Sequence, residues 1–287
     1  MCYDYNRLMA DIENLQNKYS FTGHMLTGES VMKRGIHCLK IGSGRRKILI
    51  SAAFHGLESI TAALVMKFAD DYAACIVDGK PFFGQYAARL FVKNTLYILP
   101  IVNPDGVDIA ANGIDTSEPA HQRLIKSVGI HDFRHTWQAN ARGVDLNHNY
   151  DALWSAVLPA PAPTKYGGEH PESEPETKAV TTFVRRTQPD ILIALHSQGG
   201  EIYYDFDGHC PDGALNLAEE MSAASGYEVC QPTGTAAFGG CKDWFIREFD
   251  RPGFTIEVGH GKNPLPISML DDIYSENAKI ILCAMAK

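Results

Sequence analysis

Two histidines and two glutamates lie at or just after apolar segments of the chain, where few polar side chains are expected. The run KILISAAF leads directly into His55, with Glu58 three residues further on, and the run DILIAL leads into His196. The run FTIEV carries Glu257 near its end. Two imidazoles and one carboxylate leave an open fourth position on a tetrahedral zinc ion, which is typical of a catalytic zinc site. A further carboxylate at such a site can serve as a general base.

Each of these features also has an ordinary structural explanation when it is taken alone. An H-x-x-E sequence occurs as a carboxylate at a helix start beside an exposed histidine, and His196 alone could be a hydrogen-bonded histidine at a strand end. Glu257 alone could be one half of a buried ion pair. Because the four residues occur together at the ends of three apolar segments, the sequence favours a catalytic site with one Zn²⁺ per chain.

The apolar runs are typical of strands that are covered on both faces. The predicted strands are 47–54, 95–102, 190–195 and 254–258, and the predicted helices are the first ~22 residues, 60–76, 172–187, 211–225 and 266–285. This alternation predicts an α/β fold, a single domain over residues 1–287 with a mixed, mostly parallel sheet flanked by helices. In open α/β sheets ligands bind beyond the carboxyl ends of the strands. The four candidate residues occur at such ends.

The charge pattern excludes two classes of partner. The formal net charge is −8 and the basic residues form no extended run, so no electrostatic footprint for nucleic acid or for an anionic membrane is present. No apolar run reaches the roughly 20 residues that cross a bilayer. We therefore expect a small or peptidic partner, no nucleic acid and no membrane.

The beginning of the chain and the cysteines predict a location. The first residues mix acids, amides and isolated apolar residues, unlike a secretory signal. The seven cysteines are scattered and show no C-x-x-C pair. We expect a cytoplasmic protein with reduced cysteines. The alternative is one disulfide among Cys210, Cys230 and Cys241.

A second pair of histidines has a spacing that can bind a metal. His131 and His135 lie four residues apart in HDFRH, which places two imidazoles on one face of a helix. The segment lacks the acidic residue of the metalloprotease pattern H-E-x-x-H, and no apolar strand lies nearby. A solvated loop or a short helix is the favoured interpretation.

The order of five motifs resembles that of the zinc carboxypeptidase (carboxypeptidase A-like) family. These motifs are HGLE, NPDG, ANARGVDLNHNYD, LHSQGG and TIEVG, and they extend through nearly the whole chain. The resemblance implies the fold of that family. It assigns zinc binding to His55, Glu58 and His196, the general base to Glu257, stabilisation of the oxyanion to Arg142, and contact with the substrate carboxylate to Asn147.

The chain departs from many members of that family at two places. His148 stands where D-L-N-R-N carries an arginine that holds the terminal carboxylate of the substrate. In GTAAFGGCKDWF, Thr235 stands near the substrate-facing tyrosine of carboxypeptidase A, and Phe238 is the only aromatic residue of that loop. Both segments resemble those of the γ-D-glutamyl-meso-diaminopimelate peptidase branch. The resemblance implies that His148 and Lys242 bind substrate; the alternative for Lys242 is a solvated surface lysine.

The expected function is therefore that of a zinc metallopeptidase, a hydrolase that cuts an amide bond. The resemblance implies a muropeptide substrate, cut between the γ-carboxyl of D-glutamate and the amine of diaminopimelate in the stem peptides of peptidoglycan. The alternatives are a metallocarboxypeptidase acting on ordinary peptides and an acyl-amino-acid deacylase. A binding protein without catalysis would not explain why all four catalytic positions carry the required residue types.

Overall fold

The computed structural model describes residues 2–129, 132–155 and 157–287, with the side chains of all of these except residues 235 and 236. The strands are β1 (Gly23–Glu29), β2 (Gly35–Gly42), β3 (Arg46–Ser51), β4 (Pro81–Phe82), β5 (Gln85–Tyr86), β6 (Asn94–Leu99), β7 (Ile191–His196), β8 (Glu201–Tyr203), β9 (Glu228–Cys230) and β10 (Gly253–Glu257). The helices are α1 (Tyr5–Lys18), α2 (Ser59–Asp78), α3 (Ala87–Lys93), α4 (Pro104–Asn112), α5 (Pro119–Val128), α6 (Phe133–Thr136), α7 (Pro175–Thr187), α8 (Ala214–Ser225), α9 (Cys241–Phe249) and α10 (Leu270–Ala286). Short 3₁₀ helices span Gly56–Glu58, Leu146–His148, Gly234–Ala237 and Ile267–Met269.

One sheet of eight strands, in the order β1-β2-β6-β3-β7-β10-β8-β9, organises the molecule. The pairs β6–β3, β3–β7, β7–β10 and β8–β9 are parallel, and the other three pairs are antiparallel. Strands β4 and β5 form a separate small hairpin. The predicted single-domain α/β fold with a mixed, mostly parallel sheet is confirmed. Strands β3, β7 and β10 are neighbours, so their carboxyl ends meet at one edge.

Both faces of the sheet are covered, which explains why the central strands are apolar almost throughout. In β3, Ile48 and Ile50 face a core that α1, α2, α8 and α10 complete, whereas Leu49 faces a second core that contains α7 and α9. These three side chains are fully buried. A third apolar cluster, which includes Leu57 and Trp137, lies under α4, α5 and α6. It supports the loops beside the carboxyl end of β3.

The first predicted strand ends earlier than the sequence suggested. The apolar run 47–54 predicted a strand up to His55, but β3 ends at Ser51. Ala53 has a φ of 49°, which is the left-handed region, so the backbone leaves the extended conformation two residues before the histidine. Apolarity continues through this segment because it is buried, and burial alone does not distinguish a strand from a covered loop.

The other predicted elements are present with shifted ends. The strand predicted at 95–102 stops at Leu99, because Pro100 has no N–H for the ladder. The helix predicted from 172 begins at Pro175, where proline occupies the first turn. The N-terminal helix ends at Lys18 rather than near residue 22.

None of the helices in the described part of the chain combines the length and apolar character that a membrane crossing requires. All seven cysteines are free, as predicted. The alternative of a disulfide among Cys210, Cys230 and Cys241 is therefore wrong.

Candidate metal centre and active site

His55, Glu58 and His196 lie together beyond the carboxyl ends of β3 and β7. His55 Nδ1 lies 2.8 Å from Glu58 Oε1, and His196 Nδ1 lies 3.1 Å from Glu58 Oε2. One ligand atom of each residue lies within 4.8 Å of the others. The structure thus brings together the three predicted metal ligands, which we call the His55–Glu58–His196 cluster.

The sheet explains how residues so distant in sequence meet. His196 ends β7 and pairs in parallel register with Glu257, the last residue of β10. On the other side of β7, strand β3 leads into the 3₁₀ turn that carries Glu58 back towards His55. All four residues therefore project from one edge of three adjacent parallel strands.

Two glycines allow the loops beside the cluster to pack closely. A Cβ atom on Gly56 would lie 2.3 Å from the carbonyl oxygen of Gly106 and 2.7 Å from that of Trp137. A Cβ atom on Gly106 would lie 2.4 Å from the carbonyl oxygen of Ala139. Only glycine fits such approaches. The glycines of the HGLE and NPDG motifs thus hold residues 137–139 next to His55.

Opposite charges stabilise each other in the buried cluster. Burial raises the pKa of Glu58, but His55 and His196 outweigh it and lower that pKa to about 2. Burial lowers the pKa of His55, and the carboxylates of Glu58 and Asp145 overcome this effect and raise it well above the usual value. Glu58 is therefore an anion in a site that is 2% exposed, as a cation site requires.

Asp145, to which the sequence analysis assigned no role, supports this cluster. Its Oδ1 lies 3.1 Å from His55 Nε2, so His55 is held through one ring nitrogen while the other faces Glu58. A carboxylate behind a metal-binding histidine fixes the orientation and tautomer of the ring. The signal was an aspartate directly after the apolar Val144, within the D-L-N-H-N motif, where Asp145 is 1% exposed.

The donors of the cluster fit a zinc ion. Two imidazole nitrogens and a carboxylate form a set that zinc prefers, and Asp145 supplies the outer contact that zinc-binding histidines need. His55, Glu58 and His196 would hold the ion. When bound, zinc supplies a Lewis acid that polarises a carbonyl group and acidifies water.

Glu257 lies on the wall of the cavity beside this cluster. Burial raises the pKa of Glu257 to about 8, and the neighbouring Glu58 carboxylate adds to the effect. A carboxyl group whose pKa lies near neutrality can both accept and return a proton. The assignment of Glu257 as the general base stays a prediction, and its position on this wall is consistent with it.

The predicted substrate-binding residues share one cavity of about 170 Å³ with the catalytic groups. Its wall includes Asn147, His148 and Lys242 together with His55 and Glu257. These residues come from four separate segments of the chain. The cavity therefore joins the candidate metal ligand His55 to the candidate specificity residues.

Two of these side chains are oriented by the start of α9 and the loop before it. Asn147 Oδ1 accepts a hydrogen bond from the backbone N–H of Cys241 at 3.1 Å, which leaves its Nδ2 as the group that can donate to a substrate. The ring of His148 packs edge to face against Phe238, with a distance of 6.3 Å between ring centroids. Both residues are half-buried.

Lys242 is not a solvated surface lysine, so that alternative is wrong. The residue is 3% exposed. Its Nζ lies 2.5 Å from Asp243 Oδ1 and donates to the backbone carbonyl of Asp205. Its stem packs beside Gly253 of β10. Lys242 is a buried, ion-paired part of the cavity wall.

Arg142 lies away from the cavity. Its side chain is 54% exposed, and its Nη1 lies 3.5 Å from Glu174 Oε2. Glu174 also accepts a hydrogen bond from Asn140, two residues before Arg142. The structure does not bring this arginine together with the other predicted site residues. The polar residues on the wall that the sequence analysis did not single out are Gln138, Asp145, Thr164, Lys165, Tyr203, Asp243 and Thr255.

Of the second histidine pair, only His135 lies among the residues that the structure describes. His135 lies in α6 with its Nδ1 2.9 Å from Asp132 Oδ2, and its side chain is 65% exposed. His131 lies outside the described residues. The side chain of Thr235 also lies outside them, whereas Phe238 is on the cavity wall.

The sequence model of the family described as "Zinc carboxypeptidase" matches residues 8–280. This chain belongs to the zinc carboxypeptidase family. Membership agrees with the His55–Glu58–His196 cluster and establishes zinc as its metal and hydrolysis by a metallopeptidase as its class of reaction.

Two relatives are similar to this chain along nearly all of its length. "Gamma-D-glutamyl-L-diamino acid endopeptidase 1" of Lysinibacillus sphaericus is 38% identical over 287 residues, which cover 99% of this chain and 72% of that protein. "Uncharacterized protein YqgT" of Bacillus subtilis (strain 168) is 32% identical over 289 residues, which cover 99% of this chain and 77% of that protein. The predicted resemblance to the carboxypeptidase family is confirmed.

Solved structures confirm the fold of this zinc carboxypeptidase chain. The crystal structure of thrombin activatable fibrinolysis inhibitor superposes with a TM-score of 0.82 at 22% identity. The match covers 100% of this chain and 74% of the other. At that identity the likeness concerns the arrangement of the sheet and helices.

Proposed function

We propose that this zinc metallopeptidase hydrolyses the amide bond between a γ-D-glutamyl residue and a diamino acid in the stem peptides of peptidoglycan. The observation that most directly supports this proposal is the cavity, whose wall contains the buried Lys242 together with His55 and Glu257. The similarity to a γ-D-glutamyl-L-diamino acid endopeptidase along 99% of the chain supports it.

The residues of the chain divide the reaction between them. Glu257 accepts a proton from the attacking water and returns it to the leaving amine. Asp145 keeps His55 in one orientation throughout. Asn147 Nδ2 and His148 bind the carboxylate of the residue beyond the scissile bond. The imidazole of His148 cannot form the two parallel hydrogen bonds with which an arginine would hold that carboxylate.

Lys242 and Asp243 together suit the end of a diaminopimelate side chain, which carries both a carboxylate and an amine. A lysine ammonium has three donors. The Lys242 ammonium donates to the backbone carbonyl of Asp205 and forms an ion pair with Asp243 Oδ1 at 2.5 Å. A remaining donor can bind the distal carboxylate. The Asp243 carboxylate can accept from the distal amine. This pair therefore favours a zwitterionic side chain over an apolar one.

The test of the function compares three substrates on the zinc-loaded protein. We expect release of diaminopimelate from a γ-D-glutamyl-meso-diaminopimelate peptide, and at most slow cleavage of the α-L-glutamyl isomer and of an ordinary peptide with a free terminal carboxylate. The products are identified by mass spectrometry. Faster cleavage of the ordinary peptide would identify a simple carboxypeptidase instead.

The role of Lys242 is tested by removing the ion pair as a unit, because Lys242→Met alone would leave the Asp243 charge buried without its partner. We expect the double variant Lys242→Met with Asp243→Asn to lower kcat/KM for the diaminopimelate substrate by roughly 10-fold or more, the effect of losing one charged hydrogen bond. The loss should shrink when lysine replaces diaminopimelate, since lysine lacks the distal carboxylate. Equal losses on both substrates would show that the pair does not bind the diamino acid.

A further inference from the structure

The two lysines on the cavity wall differ in their electrostatic state. Lys242 is buried and its charge is neutralised by Asp243. Lys165 is exposed and lies on the same wall, and none of the ion pairs among the residues that the structure describes includes its ammonium. Lys165 is therefore the lysine that brings an uncompensated positive charge to the cavity.

The backbone of Lys165 is tied to the metal-binding side of the cavity. Its N–H donates to Asp145 Oδ2 at 2.8 Å, and Asp145 Oδ1 lies 3.1 Å from His55 Nε2. Lys165 is thus connected to the metal ligand His55 through a single carboxylate. Lys242, in contrast, packs beside Gly253 of β10. The two lysines therefore lie on different parts of the wall.

The segment that carries Lys165 is held firmly. Thr164 Oγ1 lies 2.5 Å from Gln138 Oε1 and 3.2 Å from Asp145 Oδ2. Gln138 in turn receives the N–H of Gly56 on its carbonyl oxygen at 3.1 Å, next to His55. A flexible side chain on a fixed base restricts where its charge can reach. The Lys165 side chain therefore starts from a fixed point on the wall, next to Asp145.

We propose that Lys165 is a specificity-determining residue that binds the free α-carboxylate of the γ-linked glutamyl residue. This inference rests on the proposed function and deepens it. A glutamyl residue joined through its γ-carboxyl keeps its α-carboxylate free on the acyl side of the scissile bond. An ordinary α-linked peptide has no main-chain carboxylate there. The unpaired charge of Lys165 thus distinguishes a γ-linked from an α-linked glutamyl residue, whereas Lys242 binds the side chain of the diamino acid.

The test uses two substrates that differ in one group: a γ-D-glutamyl-diaminopimelate peptide with a free α-carboxylate, and the same peptide with an α-carboxamide. We expect the wild type to prefer the acid by about tenfold in kcat/KM, as for one charge-assisted hydrogen bond at the low end of its range. Lys165→Met should lose most of this preference by slowing cleavage of the acid. Lys165→Arg should retain it because the charge remains. The preference should also weaken as salt is raised, since the charge is exposed.

Lys279→Met is the matched control, because Lys279 is an exposed lysine on α10. It should behave as the wild type. Zinc content and the unfolding temperature of Lys165→Met should match the wild type, since only an exposed side chain changes. Methionine is chosen because the φ of 66° at Lys165 disfavours a β-branched residue.

Two outcomes overturn the inference in different ways. If the wild type cleaves both peptides and Lys165→Met leaves their ratio unchanged, Lys165 does not read the α-carboxylate, and the proposed function stands. If the wild type cleaves neither γ-D-glutamyl peptide but does cleave an ordinary one, the proposed function and the inference both fail.

Discussion

Glu257→Gln is expected to abolish hydrolysis while the protein keeps its fold and its zinc. Glutamine has the shape of glutamate, but its amide cannot accept the proton of the attacking water. Proton transfer by a positioned side chain contributes about 10²–10⁴-fold to the rate. We therefore expect kcat to fall by at least about 10²-fold, measured with the γ-D-glutamyl-meso-diaminopimelate peptide at saturation.

The fold should tolerate this change because burial already disfavours the charged form of Glu257, as its pKa of about 8 shows. A neutral amide therefore suits the site. Glu13→Gln, on the exposed face of α1, is the matched control and should leave kcat unaltered. Zinc stoichiometry and unfolding temperature separate a chemical defect from a structural one. If Glu257→Gln retained a tenth of the wild-type turnover, another group would have to be the base.

The sequence predicted those residues of the candidate site that lie at the ends of apolar strands. His196 and Glu257 end β7 and β10, and apolar runs identify those strands because both of their faces are buried. His55 was predicted to end a strand, which is wrong, since β3 ends four residues before it. Its predicted place near the other candidate ligands is nevertheless correct, because the segment from Ala52 to Phe54 continues towards the same edge of the sheet.

The residues that the sequence missed depend on contacts between distant loops. Asp145 contacts His55 although the two lie 90 positions apart in the sequence, and Lys165 lies on the cavity wall with its backbone hydrogen-bonded to Asp145. No periodic pattern marks such contacts. The environment of Lys242 was equally hidden, because its ion pair with the adjacent Asp243 and its burial under β10 follow from how α9 docks.

Arg142 was assigned to the site by its motif, but the packing of its side chain does not place it there. The motif placed it near the metal ligands, and the structure has its guanidinium beside Glu174. The role of oxyanion stabiliser for Arg142 stays a prediction. Arg142→Met tests it, since a residue that stabilises the oxyanion would lower kcat by about 10²–10³-fold when removed.

The metal centre should respond to substitution in a graded way. His196→Ala removes a direct ligand, and we expect loss of bound zinc and of hydrolysis together. Asp145→Ala removes the carboxylate behind His55, together with its contacts to Thr164 and Lys165, but no direct ligand, and a 10- to 100-fold loss of metal affinity is typical of such a change. His135→Ala, an exposed histidine paired with Asp132, is the matched control and should bind one zinc per chain. Zinc per chain is measured after dialysis, and affinity by competition with a chelator.

The unfolding temperature gives an independent measurement of the same site. A ligand that binds only the folded protein stabilises it by RT ln(1 + [L]/Kd), so added zinc should raise the unfolding temperature of the wild type. The rise should be absent in His196→Ala and should need higher zinc concentrations in Asp145→Ala.

His196→Ala also leaves Glu58 with one imidazole instead of two, so its metal-free form should be less stable than the metal-free wild type. Full zinc stoichiometry in His196→Ala with an unchanged thermal response would place the metal elsewhere. An equal loss in Asp145→Ala and His196→Ala would instead make Asp145 a ligand, because a supporting carboxylate alters affinity without supplying a bond to the metal.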